Sequence, residues 1–370
     1  MKRVAIVHDW LTGMRGGERV LEHLLDLFPE AELFTLLHVP RSVSPRIEAR
    51  PIHTSFVNKL PGIRRWYRYY LPLFPRAVEA LDIRGFDLVL SVSHCVAKGV
   101  RVVDGRHVSY CLTPMRYAWD LYDDYFGSGR VGPLMRVALP PVLERLRRWD
   151  AQSCERVDRF VTISKHVQGK IDRFYRRSAG VVYPPIDTRR FRWDRAREDF
   201  YLVVSALVPY KRVDRAIEAF RSTGRRLVVV GKGPDLERLR RTAPHNVTFL
   251  GWRPDEEVAD LMERCRALVF PGEEDFGLVP LEAQAAGAPV IALSSGGALE
   301  TVISTSDGNG HGHHDPTGVF FERPDSAALQ DAIIRFEGET FDPQAARRNA
   351  ERFSIASFNE GMRAATETGT

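Results

Sequence analysis

Residues 270–292, FPGEEDFGLVPLEAQAAGAPVIA, set three acids in a row after an apolar run, and a fourth, Glu282, follows Glu274 with seven residues between. Pro280 fits only the first turn of a helix, so a helix is predicted to start near Leu278 and to end at Gly287, before Pro289. The first amides of such a helix, from Gly277 onward, lack intrahelical acceptors and suit an anion such as a diphosphate. About one turn inside, the Glu282 carboxylate can accept two hydrogen bonds from a vicinal diol such as ribose. Glu274, in the loop before Gly277, can bond a second polyol. One sugar on each side of a diphosphate describes a nucleotide sugar. An equally open reading at this point is plainer: Glu282 complements the helix dipole, and Glu273, Glu274 and Asp275 form a solvated loop.

The elements that must position these groups follow from periodicity. Short β-branched runs alternate with helical patterns in both halves, which implies parallel sheets wrapped by helices. RVAIVH, DLVLSVS, HVSYC and RFVTIS read as strands in the first half, with a helix over GERVLEHLLDLF. FYLVVSA, RRLVVVGKG, NVTFLG, RALVFPG, APVIAL and GVFF read as strands in the second. Between the halves, VVYPPIDTRRFRWDRARED carries adjacent prolines and then charge, so the domains are expected at 1–183 and 199–353 with a linker at 184–198. The remaining residues, 354–370, are predicted as a C-terminal helix that crosses back to the first domain. Two doubly wound domains facing a central cleft place ligands beyond the carboxyl ends of their strands.

Composition sets wider bounds. The chain has 370 residues, 44% of them hydrophobic, enough for two cores. Lys and Arg number 53 against 48 acids, a formal charge of +5 that suits anionic small molecules, an anionic membrane face or nucleic acid without selecting among them. Cys95, Cys111, Cys154 and Cys265 show no CxxC spacing and sit in apolar segments, as thiols do in a reducing cytoplasm. The apolar run in MKRVAIVHDW is stopped by His8 and Asp9, too early for a signal peptide.

EDFGLVPLEAQAAGAPVIA resembles the signature stretch of the family 4 retaining glycosyltransferases, enzymes of the GT-B fold with two Rossmann-like domains. Similar to that family too, and in its order, are HDWLTGMRGGERV, VVYPPIDTRRF, SALVPYKRVDRAIEAF, VVVGKGPDLERL and VTFLGWRPDEEV. Within the family, SYCLTPMRYAWDLYDDYF is most similar to the mannosyltransferases of bacterial O-antigen and capsule assembly. The resemblance implies that Glu282 holds the nucleotide ribose, that Glu274 holds hydroxyls of the transferred sugar, and that the amides of Phe276, Gly277 and Leu278 face sugar and phosphate. It makes Lys211 the phosphate-binding cation, offsetting charge on the leaving diphosphate. Gly16 and Gly17 are expected to bring backbone close to the donor phosphate and the acceptor. Gly231 and Gly233 form a close turn near the nucleotide, with Trp252 and Arg253 beside the base. Two positions depart from the family: Ala206 stands where many relatives have Arg, leaving Arg212 as a substitute, and Leu112 where many have His. His8, His94 and Arg116 are the candidates on the acceptor side.

Other signals are decoys on this reading. The GxG of VVVGKGPDLERL lacks the third glycine and the ribose-binding acid of a dinucleotide fingerprint, so no NAD chemistry, and no other cofactor, is expected. No pattern for stacking nucleic acid survives. His311, His313, His314 and Asp315 lie among glycines and read as a surface loop rather than a metal site. In residues 59–81, Arg64, Arg65, Arg68 and Arg76 interleave with Trp66, Tyr67, Tyr69, Tyr70 and Phe74. This suits an anionic membrane or, equally, a helix packed in the core with only its arginines outside. The expectation is a metal-independent hexosyltransferase, using GDP-mannose and acting on a glycan or lipid-linked glycan at the inner membrane face. A UDP-hexose enzyme and a nucleotide-sugar-binding subunit are the alternatives.

Overall fold

The structure, a computed structural model, describes residues 2–120, 133–305 and 315–367. It divides into two units: the first runs to Pro185 and takes the chain up again at Phe358, and the second is Ile186–Ser357.

The first unit is built on seven parallel strands, β1 (Val4–His8), β2 (Glu32–Thr35), β3 (Ile52–Thr54), β4 (Leu88–Ser93), β5 (Arg106–Cys111), β6 (Arg159–Thr162) and β7 (Ala179–Val181), in the order 3-2-1-4-5-6-7. Every residue of VAIVH and LVLSVS is buried, as expected of central parallel strands covered on both faces. These two strands pair from Val4 opposite Leu88 to His8 opposite Val92. Helices α1 (Gly16–Leu27), α2 (Pro133–Gln152) and α3 (Lys165–Tyr175) belong to this unit. On α1, Val20, Leu21, Leu24 and Leu25 are buried at helical spacing, which lays one apolar stripe inward.

The second unit has six parallel strands, β8 (Tyr201–Val204), β9 (Leu227–Val230), β10 (Val247–Gly251), β11 (Ala267–Phe270), β12 (Val290–Leu293) and β13 (Gly318–Phe321), in the order 10-9-8-11-12-13. Its helices are α4 (Val213–Thr223), α5 (Leu236–Thr242), α6 (Asp255–Arg264), α7 (Leu278–Ala285), α8 (Ser326–Glu337) and α9 (Pro343–Glu351). A last helix, α10 (Ile355–Thr366), begins in the second unit, and from Phe358 its residues belong to the first, where Phe358 meets the Tyr110 ring edge-on at 5.9 Å. In each sheet the strand order reverses once, between β1 and β4 and between β8 and β11. Ligands of doubly wound sheets bind at that point, beyond the carboxyl ends.

All six strands read in the second half are present, but β2, β3 and β7 of the first half escaped the sequence. They have four, three and three residues, too few to show a period, and pairing with neighbours makes them strands. The polar stretch after Pro185 belongs to the second unit: Arg197 donates to the carbonyls of Met262, Glu263 and Ala286, at the ends of α6 and α7. In residues 59–81, Ile63, Tyr67, Phe74, Ala77 and Val78 enter the core, while Trp66 and Tyr69 are 54% and 73% exposed beside the arginines. The stretch is thus neither wholly core nor wholly surface. Among the described residues no helix is long and apolar enough to cross a membrane.

Candidate functional site

In the second unit the chain leaves β8, runs through Ser205–Val208 and makes a single turn at Pro209–Lys211. From the neighbouring strand β11 it passes Pro271 and Gly272 to Glu274. The two loops touch: a Cβ on Gly272 would lie 2.9 Å from the Lys211 backbone, so only glycine allows the approach. They deliver the Lys211 ammonium onto the Glu274 carboxylate as an ion pair, both side chains four-fifths or more buried. The pair lines a hollow of about 10 Å³ with Ser205, Phe270 and Pro271, at the reversal between β8 and β11.

A third loop, after β12, fixes the second. The Gly297 amide donates to the Glu274 carbonyl at 2.8 Å, and the Ser295 hydroxyl donates to Glu273. The three adjacent acids are thereby separated: Glu273 is exposed, Glu274 keeps only about a fifth of its side chain exposed, at 20%, and Asp275 is buried. Helix α7 then starts at Leu278, behind Gly277 at φ 102°, a conformation that a side chain strains. Its first amides open at the same end of the sheet. Phe276 turns its ring inward against Phe353 at 5.7 Å, leaving its backbone to the loop. Glu282 lies half-buried about one turn inside.

The other residues singled out in this unit lie at the same edge of the sheet, further along. Gly231 and Gly233 follow β9 and run hard against the backbone of Ser205 and Leu207. Trp252, 62% exposed, follows the edge strand β10 with the Lys232 ammonium 5.8 Å from its ring, and Arg253 pairs with Glu257 at 3.3 Å. Arg212 is half-buried in a left-handed conformation at φ 52°, and Ala206 is exposed. His311, His313 and His314 lie outside the described residues, as does the end of the 109–126 stretch. Asp315 pairs with Arg348 at 3.0 Å. Among the described residues no three His, Cys, Asp or Glu side chains gather as metal ligands.

The first unit has its own cluster at the reversal between β1 and β4. Asp9, fully buried, accepts four backbone hydrogen bonds, from His94 and Cys95 on one oxygen and Val96 and Ala97 on the other, at 2.6–2.9 Å. It pins the loop after β4 and sets His94 Nδ1 3.1 Å from its carboxylate. Burial lowers the His94 pKa, with Asp9 opposing. His8 is fully buried with Nδ1 3.1 Å from the Trp10 carbonyl, and its pKa falls to about 4 through burial, then through the charge of His94. Gly16 and Gly17 open α1, and Glu18 in its first turn accepts from the Arg15 amide at 2.9 Å. Burial lifts the Glu18 carboxyl to about 7. Arg116 starts a short helix, Arg116–Trp119, after β5.

Sequence reasoning missed Asp9, Gly272 and the Ser295–Gly297 loop. The signals existed, an acid directly after a strand and a Gly after Pro271, but their partners are distant in sequence.

The family model described as Glycosyl transferases group 1 matches residues 186–353. The chain is 34% identical over 203 residues to the GDP-mannose-dependent alpha-(1-6)-phosphatidylinositol monomannoside mannosyltransferase of Mycobacterium tuberculosis, across 46% of this chain and 50% of that protein. It is 35% identical over 122 residues to the human alpha-1,3/1,6-mannosyltransferase ALG2, across 31% of this chain and 27% of that protein. In fold it is similar to sucrose-phosphate synthase from Thermosynechococcus elongatus, with a TM-score of 0.71, 18% identity and 98% of each chain covered. The chain spans about half the length of the first curated relatives it matches, 44% to 50%. With two parallel sheets reversing at β1/β4 and β8/β11, the chain has the GT-B fold, and its residues 186–353 match the family described as Glycosyl transferases group 1.

Proposed function

We infer that the protein is a retaining hexosyltransferase that takes mannose from GDP-mannose and adds it to a growing, lipid-linked glycan. The observation that carries this is the Lys211–Glu274 pair at the reversal between β8 and β11, beside the first amides of α7. A cation and a run of amides meet the two phosphates, Glu282 the ribose, and Glu274 the hexose hydroxyls. Trp252 and Arg253, past β10, lie toward the base. Before the donor arrives Lys211 neutralises Glu274. When the diphosphate takes the ammonium, the carboxylate turns to sugar hydroxyls, which satisfy it by hydrogen bonds.

In the transfer step the bond from the sugar's C1 to the diphosphate oxygen breaks. The acceptor hydroxyl bonds C1 from the same face, and its proton passes to the departing phosphate. Lys211 and the α7 amides stabilise the charge that grows on the diphosphate, in a site where such donors act strongly. The mannosyltransferase names of the sequence relatives support the sugar and, for the mycobacterial protein, the GDP donor.

A thermal-shift panel with GDP, UDP, ADP and their hexose conjugates tests the reading, since a ligand of the native state raises the melting temperature. GDP and GDP-mannose should stabilise most, with slow release of mannose when no acceptor is present. A larger shift with UDP would move the donor to a UDP-hexose, and binding without turnover would make the protein a binding subunit. Activity should survive EDTA, because Lys211 and the amides at 276–278 supply the positive field. Loss restored by magnesium alone would overturn that assignment.

A further inference from the structure

The first unit holds a cavity of about 580 Å³ that takes no part in the transfer proposed above. Volumes of ~300–1,000 Å³ are usual for small-molecule sites. Arg3 and Glu32 stand at the amino ends of β1 and β2, His53 is on the edge strand β3, and residues 82–86 lead into β4. The cavity is therefore at the amino end of the sheet, whereas ligands of doubly wound folds bind beyond the carboxyl ends. The five residues of β1 set the two ends roughly 16 Å apart.

Its walls are planar groups held in place from beneath. Phe34 and Phe86 are buried and meet edge-on at 5.6 Å. The His53 ring stacks on Phe34 at 4.7 Å, and the Arg3 guanidinium lies 4.6 Å over the Phe86 ring. Gly85, at φ 76°, turns the 82–86 loop so close that an added Cβ would stand 3.2 Å from Arg3 Nη1. Glu32 joins the two stacks: Arg3 Nη2 donates to one oxygen at 3.4 Å, and His53 Nε2 lies 3.0 Å from the other. On the loop, Arg84 forks onto Asp82 with both bonds at 2.6 Å. Stacking fixes a guanidinium without consuming its N–H groups, and a fork onto one carboxylate uses only some of them. Both arginines thus keep donors for a ligand.

The charges select that ligand. Two guanidiniums accompany two carboxylates, Glu32 and Asp82, so these four charges cancel. An anion gains the arginines but meets the acids, and a cation meets the reverse. An apolar molecule would strip water from all four without replacing its hydrogen bonds. A neutral polyol fits, because each hydroxyl can donate to a carboxylate and accept from a guanidinium.

We propose that this cavity is a second saccharide site, which holds a stretch of neutral glycan at the end of the sheet opposite the carboxyl ends. That the stretch belongs to the growing chain rests on the hexosyltransferase reading; the saccharide chemistry does not.

The test titrates the full chain in turn with mannotetraose, maltotetraose and inorganic phosphate, and follows amide hydrogen exchange by mass spectrometry. A tetrasaccharide should slow exchange at 82–86 and 51–54, and phosphate should not. Slowing by phosphate, or by none of the three, overturns the proposal. Glu32→Gln with Arg84→Ala removes one carboxylate and one guanidinium, and calorimetry should show the tetrasaccharide bound about tenfold more weakly. Unchanged affinity would put the sugar elsewhere and overturns the site. Arg84→Lys, which keeps the charge and loses the fork, should fall between parent and double variant. Acceptor-free hydrolysis of GDP-mannose should continue at the parent rate in each variant. If the parent itself releases no mannose, the hexosyltransferase reading fails, while exchange at 82–86 still decides the saccharide site.

Discussion

At the residue scale, two charges behave in opposite ways. In the proposed transfer Lys211 serves as a cation held by a partner, Glu274, that it can exchange. Lys211→Ala should lower turnover by roughly 100-fold or more, as removal of one preorganised donor at a charged transition state costs ~3 kcal/mol. Steady-state kinetics with near-normal turnover would hand the phosphate to Arg212. Glu18 is instead held near neutrality by burial, and its folded pKa of about 7 lies above the ordinary 4.5. The native state then binds the proton more tightly than the unfolded chain, so stability from this group is present below about pH 4.5 and is lost as pH rises through about 7. Glu18→Gln keeps an oxygen for the Arg15 amide and removes the loss. Urea unfolding should show the variant more stable at pH 8, by roughly 3 kcal/mol, and within about 1 kcal/mol of the parent at pH 5. His8 and His107, both with pKa near 4, act with the reverse sign, losing stability as pH falls from 6.5 to 4. Glu18→Gln leaves that acid limb in place.

At the element scale, α7 carries Glu282 and the amides proposed to face the phosphates, and its position is set from behind. The Asn349 amide of α9 donates to the Gln284 side chain at 2.6 Å and to the Thr301 carbonyl at 2.9 Å, and Gln284 donates to Thr301 and Pro280. All of these contacts are buried. Asn349→Leu leaves acceptors unpaired, so it should cost ~1–3 kcal/mol by chemical denaturation and weaken nucleotide binding with it. An unchanged midpoint would show that the latch holds nothing. The bounds of α7 were legible because Pro280, Gly287 and Pro289 each restrict the backbone locally. Its latch was not, because Asn349 lies 65 residues from Gln284.

At the scale of the whole molecule, residues 59–81 show one sequence serving two environments. Ile63, Tyr67 and Phe74 anchor the segment in the first unit's core, and Arg64, Arg65, Trp66 and Tyr69 face outward. Guanidinium groups beside exposed rings favour an anionic lipid surface by ~1 kcal/mol per basic residue. Full chain should sediment with phosphatidylserine-containing vesicles at low salt and be released at high salt. Replacing Arg64, Arg65 and Arg68 by Glu should abolish sedimentation while acceptor-free donor hydrolysis continues. Equal sedimentation by variant and parent would leave a soluble acceptor as the better assignment.

The sequence by itself determined what local physics can write: the apolar strands of the second unit and the helix start behind Gly277. Each depends on periodicity or on one residue's restricted backbone. Tertiary structure decided what depends on neighbours distant along the chain. It made strands of ELFT, IHT and AGV by pairing them, joined Lys211 to Glu274 across the ends of adjacent strands, and gave the loop after β4 to Asp9 through four amides some 85 residues away. It also decided which of the three acids at 273–275 is buried and which nitrogen of His8 is without a partner. Burial and hydrogen-bond satisfaction are properties of the packed molecule, and no stretch of sequence carries them alone.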